Sequence, residues 1–569
     1  MKKIHLPSTR FALFIAMLLA SVAAHAYDCI YGGVCYNLDA GKRTAVVTYY
    51  ACDFNNQANA AFYKNAITIP GKITHNGAEY TVTAIDECAF RGCAQLTSVT
   101  FPNHLTRIGK EAFSECEALA NVKFPDSLTV IGEYAFTGCH TFTEIDLSAC
   151  KLETIEGSAF EYCEELASVK LPNTLTTIGD DAFQYSVKLQ KIIIPDAVAS
   201  LGEDAFAHSP ELREVHIGKS ITTIPKGAFN ACPRLSAINL PDGITSIGRH
   251  AFCECVALQQ ITLPAALTTI SDEAFKKCSK LASITIPEAV TSIGASAFAY
   301  CTQLKEVTFN AENCEKAGNL NQFIFKGCDS IATLNIGDKV TTIPDFAFVR
   351  CSQISNPLSL PESLTSIGER AFLFCSKIPS ITIPKAVTYI GPWAFCNCNS
   401  LTTVTFNAEN CTYMGSESTA VFDGDLSLTT FYIGKNVASI PEYAFNGSND
   451  VVMKIYCAAP TPPVCPEDYR SGLSKYQNKY QSTLFVLKES LELYKAANFW
   501  KDFPRIGSYN GVNGINDRLV ADDATTLYDV YTTQGEQVGC RMRKADLPTT
   551  LPHGIYILVA PGHTHKVRI

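Results

Sequence analysis

Beyond its first two dozen residues the chain has no apolar run long enough to cross a bilayer. It also lacks an excess of basic charge: 46 Lys and Arg stand against 55 Asp and Glu, a formal net charge of −9. Nucleic-acid binding needs a basic stripe to displace counterions, and adsorption to anionic lipid needs a polybasic segment. Both are therefore disfavoured. Catalytic signatures are missing too, with no His-Glu-x-x-His, no Gly-x-Ser-x-Gly and no phosphate-binding loop. Cys253-x-Cys255, Cys396-x-Cys398 and His563-x-His565 are close pairs without a second pair at zinc-finger spacing. No enzyme activity, metal or cofactor is expected, and His563 and His565 read as a solvated tail.

What is present begins with an export signal. Lys2, Lys3 and Arg10 precede an apolar run from Phe11 to Ala20, and Ala24-His25-Ala26 forms a small-residue cleavage site. Removing residues 1–26 deletes three positive charges and no acid, which takes the mature chain from −9 to −12. At 569 residues the remainder is too long for one compact core, so several domains or a repeat array are expected.

The array is plain. A Phe, preceded by Ala in most copies, recurs at 90, 113, 136, 160, 183, 206, 229, 252, 275, 298, 325, 348, 372, 395, 422 and 445. Eleven of the fifteen intervals are 23 residues, two are 24 and two are 27. One unit shows the physics. Val99 and Phe101 alternate with outward residues as in a short strand, and Pro102 ends it because proline cannot donate to a ladder. Leu105 and Ile108 then turn inward, Gly109 permits the next corner, and Phe113 plugs the interior. No unit can bury these residues alone, whereas stacked units share one core. The pattern predicts about sixteen 23-residue coils with a parallel sheet along one side. Phe309-Asn310-Ala311-Glu312-Asn313-Cys314 returns as Phe406-Asn407-Ala408-Glu409-Asn410-Cys411, so each long interval is expected to bulge there from one edge.

Leu-Thr-x-Ile-Gly-x-x-Ala-Phe-x-x-Cys-x-x-Leu-x-x-Val-x-Leu-Pro resembles the BspA-like leucine-rich repeats of bacterial surface proteins, over roughly residues 80 to 450. That resemblance implies a leucine-rich-repeat solenoid acting as an adhesin or interaction protein at the cell surface. Beyond a linker at residues 511–517, Tyr528-Asp529-Val530-Tyr531 and Gly554-Ile555-Tyr556-Ile557 are similar to the C-terminal sorting domains of the type IX secretion route. This implies display on the outer surface of a Gram-negative cell. The expected organisation is a signal peptide at 1–26, a β-rich cap at 27–84 and the solenoid at 85–450. A C-terminal cap at 451–510 and a small β module at 511–569 follow. In that module, strands are expected at Leu527 to Tyr531, Gly554 to Val559 and Lys566 to Ile569.

Twelve of the 24 cysteines fall three residues after the repeat Phe, where stacked side chains point the same way and cannot bridge. Ser186, Ser209 and Ser448 share the slot, and Asp425 is the odd member. A buried thiol ladder donating to backbone carbonyls is predicted, with Ser keeping a small donor. Bridges are expected outside it, between Cys457 and Cys465 first and among Cys29, Cys35 and Cys52 next.

Outward strand positions offer the binding surface. Asn121, Lys123, Glu144, Asp146, Lys170, Lys191, Glu214 and His216 vary in charge from coil to coil, whereas later coils are nearly uniform Thr and Ser. Uniform Thr suits strand propensity alone. The expected partner is a protein or glycan bound to a monomer, and the alternative is a structural spacer with nothing bound on the sheet.

Overall fold

The computed structural model describes residues 27–50, 57–120, 122–319, 321–416, 418–444, 453–466, 481–509, 527–532, 537–543, 555–560 and 563–568. The expected signal segment, Asn121, Cys52, Phe445, Ser448, Gly554 and the linker at 511–517 lie outside these residues. The chain divides into two compact units, Met1–Ser508 and Tyr509–Ile569.

The first unit is a parallel β-solenoid of about seventeen turns at roughly 23-residue spacing. Its coils lie in strict register. On the main sheet Lys191 pairs Glu214, which pairs Ala237, and Ile192 aligns with Val215 and Ile238. The segment expected only to turn Leu and Ile inward forms a second parallel ladder, in which Thr154 pairs Thr177 and Thr177 pairs Ser200. Here the Thr of Leu-Thr-x-Ile earns its place: its hydroxyl donates to the carbonyl of the Thr one coil earlier, as Thr129 to Thr106 (2.9 Å) and Thr268 to Thr245 (3.0 Å). A third set of coil-to-coil bonds runs through the Phe corner, where Phe113 N–H donates to Ala135 O (2.7 Å) and Phe252 N–H to Ala274 O (2.8 Å). The Phe rings stack inside the coils, with centroids 4.9 Å apart at Phe90–Phe113 and 5.4 Å at Phe160–Phe183.

Corner glycines serve close approach rather than conformational freedom. Gly109, Gly132, Gly179 and Gly202 have no positive φ. A Cβ on Gly202 would stand 2.2 Å from the backbone of Gly179 and Asp180 in the coil before it. Every coil there rests directly on the last.

The thiol ladder is formed. Cys116 donates to Phe90 O (3.1 Å), Cys255 to Phe229 O (3.2 Å) and Cys328 to Phe298 O (3.0 Å). Burial pushes the Cys163 and Cys232 thiols up to about 12, which suppresses thiolate chemistry. Serine does not substitute for them as expected: Ser186 and Ser209 are buried, and their Oγ atoms have no partner among the described residues. The longer C–S bond and larger sulfur let Cys reach a carbonyl that Ser cannot.

The long intervals also differ from expectation. Ala311 and Cys314 are buried in the core, as are Ala408 and Cys411, so this block does not bulge. The chain from Ala317 to Phe325 is instead three residues longer than from Ile108 to Phe113. The excess forms a tight turn after Gly318 (φ 68°), closed by Asn319 and Gln322, and again after Gly415 (φ 71°), closed by Ser416 and Thr419.

Both ends of the solenoid are covered. Thr44–Thr48 pairs Ala78–Ile85, which pairs Arg107–Ile108, so the N-terminal strands continue directly into the second ladder. Tyr63 lies on Phe90 at 4.7 Å between centroids; its hydroxyl accepts from Cys35 N–H and donates to Thr48 O, both at 3.1 Å. At the other end Lys454–Cys457 and Thr483–Leu487 extend the main sheet. Buried Trp500 is fixed there by its Nε1–H to Pro463 O (2.8 Å). The expected Cys457–Cys465 bridge is not formed in this structure: Cys457 is a buried thiol with its Sγ 3.1 Å from Tyr494 Oη. Cys29 and Cys35 are thiols too.

The second unit is a four-stranded antiparallel sheet of Leu527–Thr532, Gln537–Arg543, Ile555–Ala560 and His563–Arg568. Gln537–Arg543 was not among the expected strands. His563 and His565 are strand residues aligned with Ala560 and Leu558.

Candidate functional site

The main sheet's outer face carries the predicted binding residues, and the register decides which of them meet. Glu144 aligns with Ser168 and Asp146 with Lys170. Lys170 Nζ thus reaches back to both carboxylates, at 2.9 Å from Glu144 and 3.0 Å from Asp146. Asp146 also accepts from the Ser148 hydroxyl (2.6 Å) and N–H (3.0 Å). The Ser148 hydroxyl, then Lys170, hold its carboxyl down at about 2. Two strands further, Glu214 is gripped from both sides by Lys191 (3.0 Å) and His216 Nε2 (2.6 Å). Lys123 is exposed.

These contacts form two small clusters, Glu144–Asp146–Lys170 and Lys191–Glu214–His216. Lys191 balances Glu214, whereas Lys170 brings one positive charge to two carboxylates. Exposed pairs of this kind contribute little to stability. Their place is more informative. Strand pairing on this face stops after Ala237–Asn239, and a groove of about 530 Å³ opens there. Glu214 and His216 form one side of it, and Gln260 and Thr262 belong to the other. Repetition of the sequence gives no hint of this break, since Gln260 to Leu263 keep the strand pattern. Further along, Thr285 aligns with Thr308 and Thr382 with Thr405. That half of the face is chemically monotonous.

Among the described residues no three His, Cys, Asp or Glu side chains are grouped to hold a metal ion. No helix among them is long and apolar enough to cross a membrane.

A repeated scaffold with an outward face free to vary defines a solenoid of the leucine-rich-repeat class. The family described as BspA type leucine rich repeat region matches residues 83–213, 200–320 and 318–452, in six copies, and the chain belongs to it. A leucine-rich repeat protein from Bacteroides ovatus is similar at 27% identity, with 76% of this chain and 100% of that one covered and a TM-score of 0.55. A leucine rich cell surface protein from Faecalibacterium prausnitzii is 26% identical over 70% of this chain and 98% of its own, with a TM-score of 0.38. No curated protein matches the chain.

One buried acid departs from the ladder. Asp425 occupies the cysteine slot and is fully buried; its Oδ1 accepts from Cys398 N–H (2.6 Å) and its Oδ2 has no partner among the described residues. Burial pushes its carboxyl up to about 9, offset in part by the Cys398 N–H. An ordinary aspartate in the unfolded chain titrates near 4. Between about pH 4 and 9 the unfolded chain therefore releases a proton that the folded chain keeps. Stability is fully present below that window, falls as pH rises through it and levels off above it. Asp425→Ser should remove this slope and raise stability at pH 8 by about 1–3 kcal/mol. Urea unfolding of both proteins at pH 5 and pH 8 measures this, and an equal pH dependence in the variant contradicts it.

Proposed function

We propose that the chain is an interaction protein of the cell surface, an adhesin that grips a protein or glycan through the N-terminal half of its main sheet. One observation carries this reading. Outward side chains change from coil to coil between Glu144 and His216 and end at an open groove, whereas the later coils repeat Thr and Ser. Membership of a surface-protein repeat family supports it. Interfaces draw most of their energy from a few residues. Replacing Lys123, Lys170, Lys191 and His216 by Thr should weaken attachment to immobilised host matrix proteins or glycans by about tenfold or more. The thermal midpoint should stay within about a degree or two, because exposed changes cost little.

The charge clusters favour a second reading, a structural spacer. Lys170 and Lys191 are already paired with Glu144, Asp146 and Glu214, which leaves little unspent positive charge for a partner. On that reading the Thr variant attaches as before.

Export completes the proposal. The signal at 1–26 and the Tyr528 and Ile555 strand motifs support secretion and display on the outer surface of a Gram-negative cell. A chain ending at residue 510 should keep the solenoid and fail to reach the surface in a labelled whole-cell assay. Unchanged display would remove the sorting role.

A further inference from the structure

A second outward column of side chains stands at the corner two residues after each Phe. Tyr162, Tyr185, His208, Ala231, Glu254 and Lys277 all have left-handed backbone there, with φ of 54° to 63°. That conformation costs a non-glycine residue about 1–2 kcal/mol. It persists because each N–H bonds the next coil: Tyr185 to Ala207 O (3.0 Å), His208 to Asn230 O (2.8 Å) and Ala231 to Cys253 O (2.8 Å). The side chains are consequently held in register, one per coil.

Tyr162, Tyr185 and His208 use that register to stack, with centroids 4.5 and 4.7 Å apart and planes within 7°. The stack ends at Ala231, whose methyl is too small to continue it. Beyond Ala231 the next two members, Glu254 and Lys277, form an ion pair. Two glycines of this column, Gly327 and Gly424, are covered by a neighbouring side chain. A Cβ on Gly327 would lie 2.7 Å from the Tyr300 ring, and one on Gly424 would lie 2.5 Å from Asn397 Oδ1. At Ala231 the gap stays open as a cavity of about 570 Å³, with Val187, Pro210, Pro233 and Val256 supplying apolar lining.

The dimensions suit one flat ring. From His208 to the coil of Glu254 is two coil steps, about 9–10 Å. Face contact takes roughly 3.5–4 Å on each side of an inserted ring. Sites for small groups are mostly apolar with a few placed polar atoms, and this one pairs an open aromatic face with one carboxylate and one ammonium. Their charges cancel, so an ionic ligand gains little. A purely hydrocarbon ring would leave both polar groups unused. A ring with one apolar face and hydroxyls at its rim uses everything present.

We propose that the gap at Ala231 binds one pyranose ring of a neutral glycan, its C–H face on His208 and its hydroxyls toward Glu254 and Lys277. The gap lies on a corner column and not on the main sheet, so its test is separate from that of the sheet.

Cellohexaose titrated into the full chain, followed by calorimetry and by the His208 ring protons, should bind with a Kd of about 1–10 mM. Ala231→Tyr extends the stack into the gap at a backbone position where Tyr185 already sits. It should fold with an unchanged or higher thermal midpoint and bind at least about tenfold more weakly. His208→Ala should lose binding similarly. Three results would each overturn the proposal: no response to cellohexaose at about ten times that concentration, undiminished binding by Ala231→Tyr, or binding of N-acetyl-tyrosine amide in place of the sugar.

Discussion

Where Gly202 crosses Gly179 and Asp180, the backbones of two coils come so close that no side chain fits between them. The same contact recurs at Gly132 on Gly109 and at Gly391 on Gly368. Where glycine stands at this corner the contact fixes the closest approach of two coils. The backbone ladders carry the same step through the coils that have Glu156, Pro225 or Ser271 there. Phe rings can stack because the step brings successive rings to about five ångströms. Thr hydroxyls and Cys thiols find carbonyls because the step places each under its equivalent. A register slip of one residue would break all of these at once, which is why the period so rarely departs from 23 or 24.

Much of this was legible in the sequence, and the misses share a cause. Phe period, inward Leu and Ile, and the unbridged cysteine slot are properties of one residue type in one place, so repetition exposes them. Contacts between coils are harder. Nothing in the letters at Ser186 tells that oxygen falls short of the carbonyl that sulfur reaches, because the difference is a bond length. Repetition of Asn310–Cys314 points to that block as the excess of the long intervals, yet Cys314 fills a core position and three of the four extra residues lengthen the turn after Gly318. Gln537–Arg543 is the exception: it alternates Val538, Cys540 and Met542 with polar or small residues, a strand signal that the sequence does offer.

The binding residues show the same division. Their exposure followed from strand alternation, but their pairing did not, since Lys170 reaches two carboxylates on the preceding strand only because the register is exact to the residue. The corner column was missed altogether. Glycine at 92, 138, 327 and 424 was the available signal, a left-handed position that other residues fill at a cost. A scaffold that fixes every outward column in this way frees those positions to vary without altering the core. Of the two open recesses, the one beside His216 lies where strand pairing ends and the one at Ala231 where a column of stacked rings ends.

If each coil touches only its two neighbours, a whole coil is removable. Deleting residues 248–270 joins Ile247 to Ser271, which restores the repeat pattern without a change of register. The shortened protein should keep the same circular dichroism per residue and unfold cooperatively, with a modest loss of stability. A chain that is unfolded or aggregated after this deletion, while remaining soluble at full length, would contradict the account.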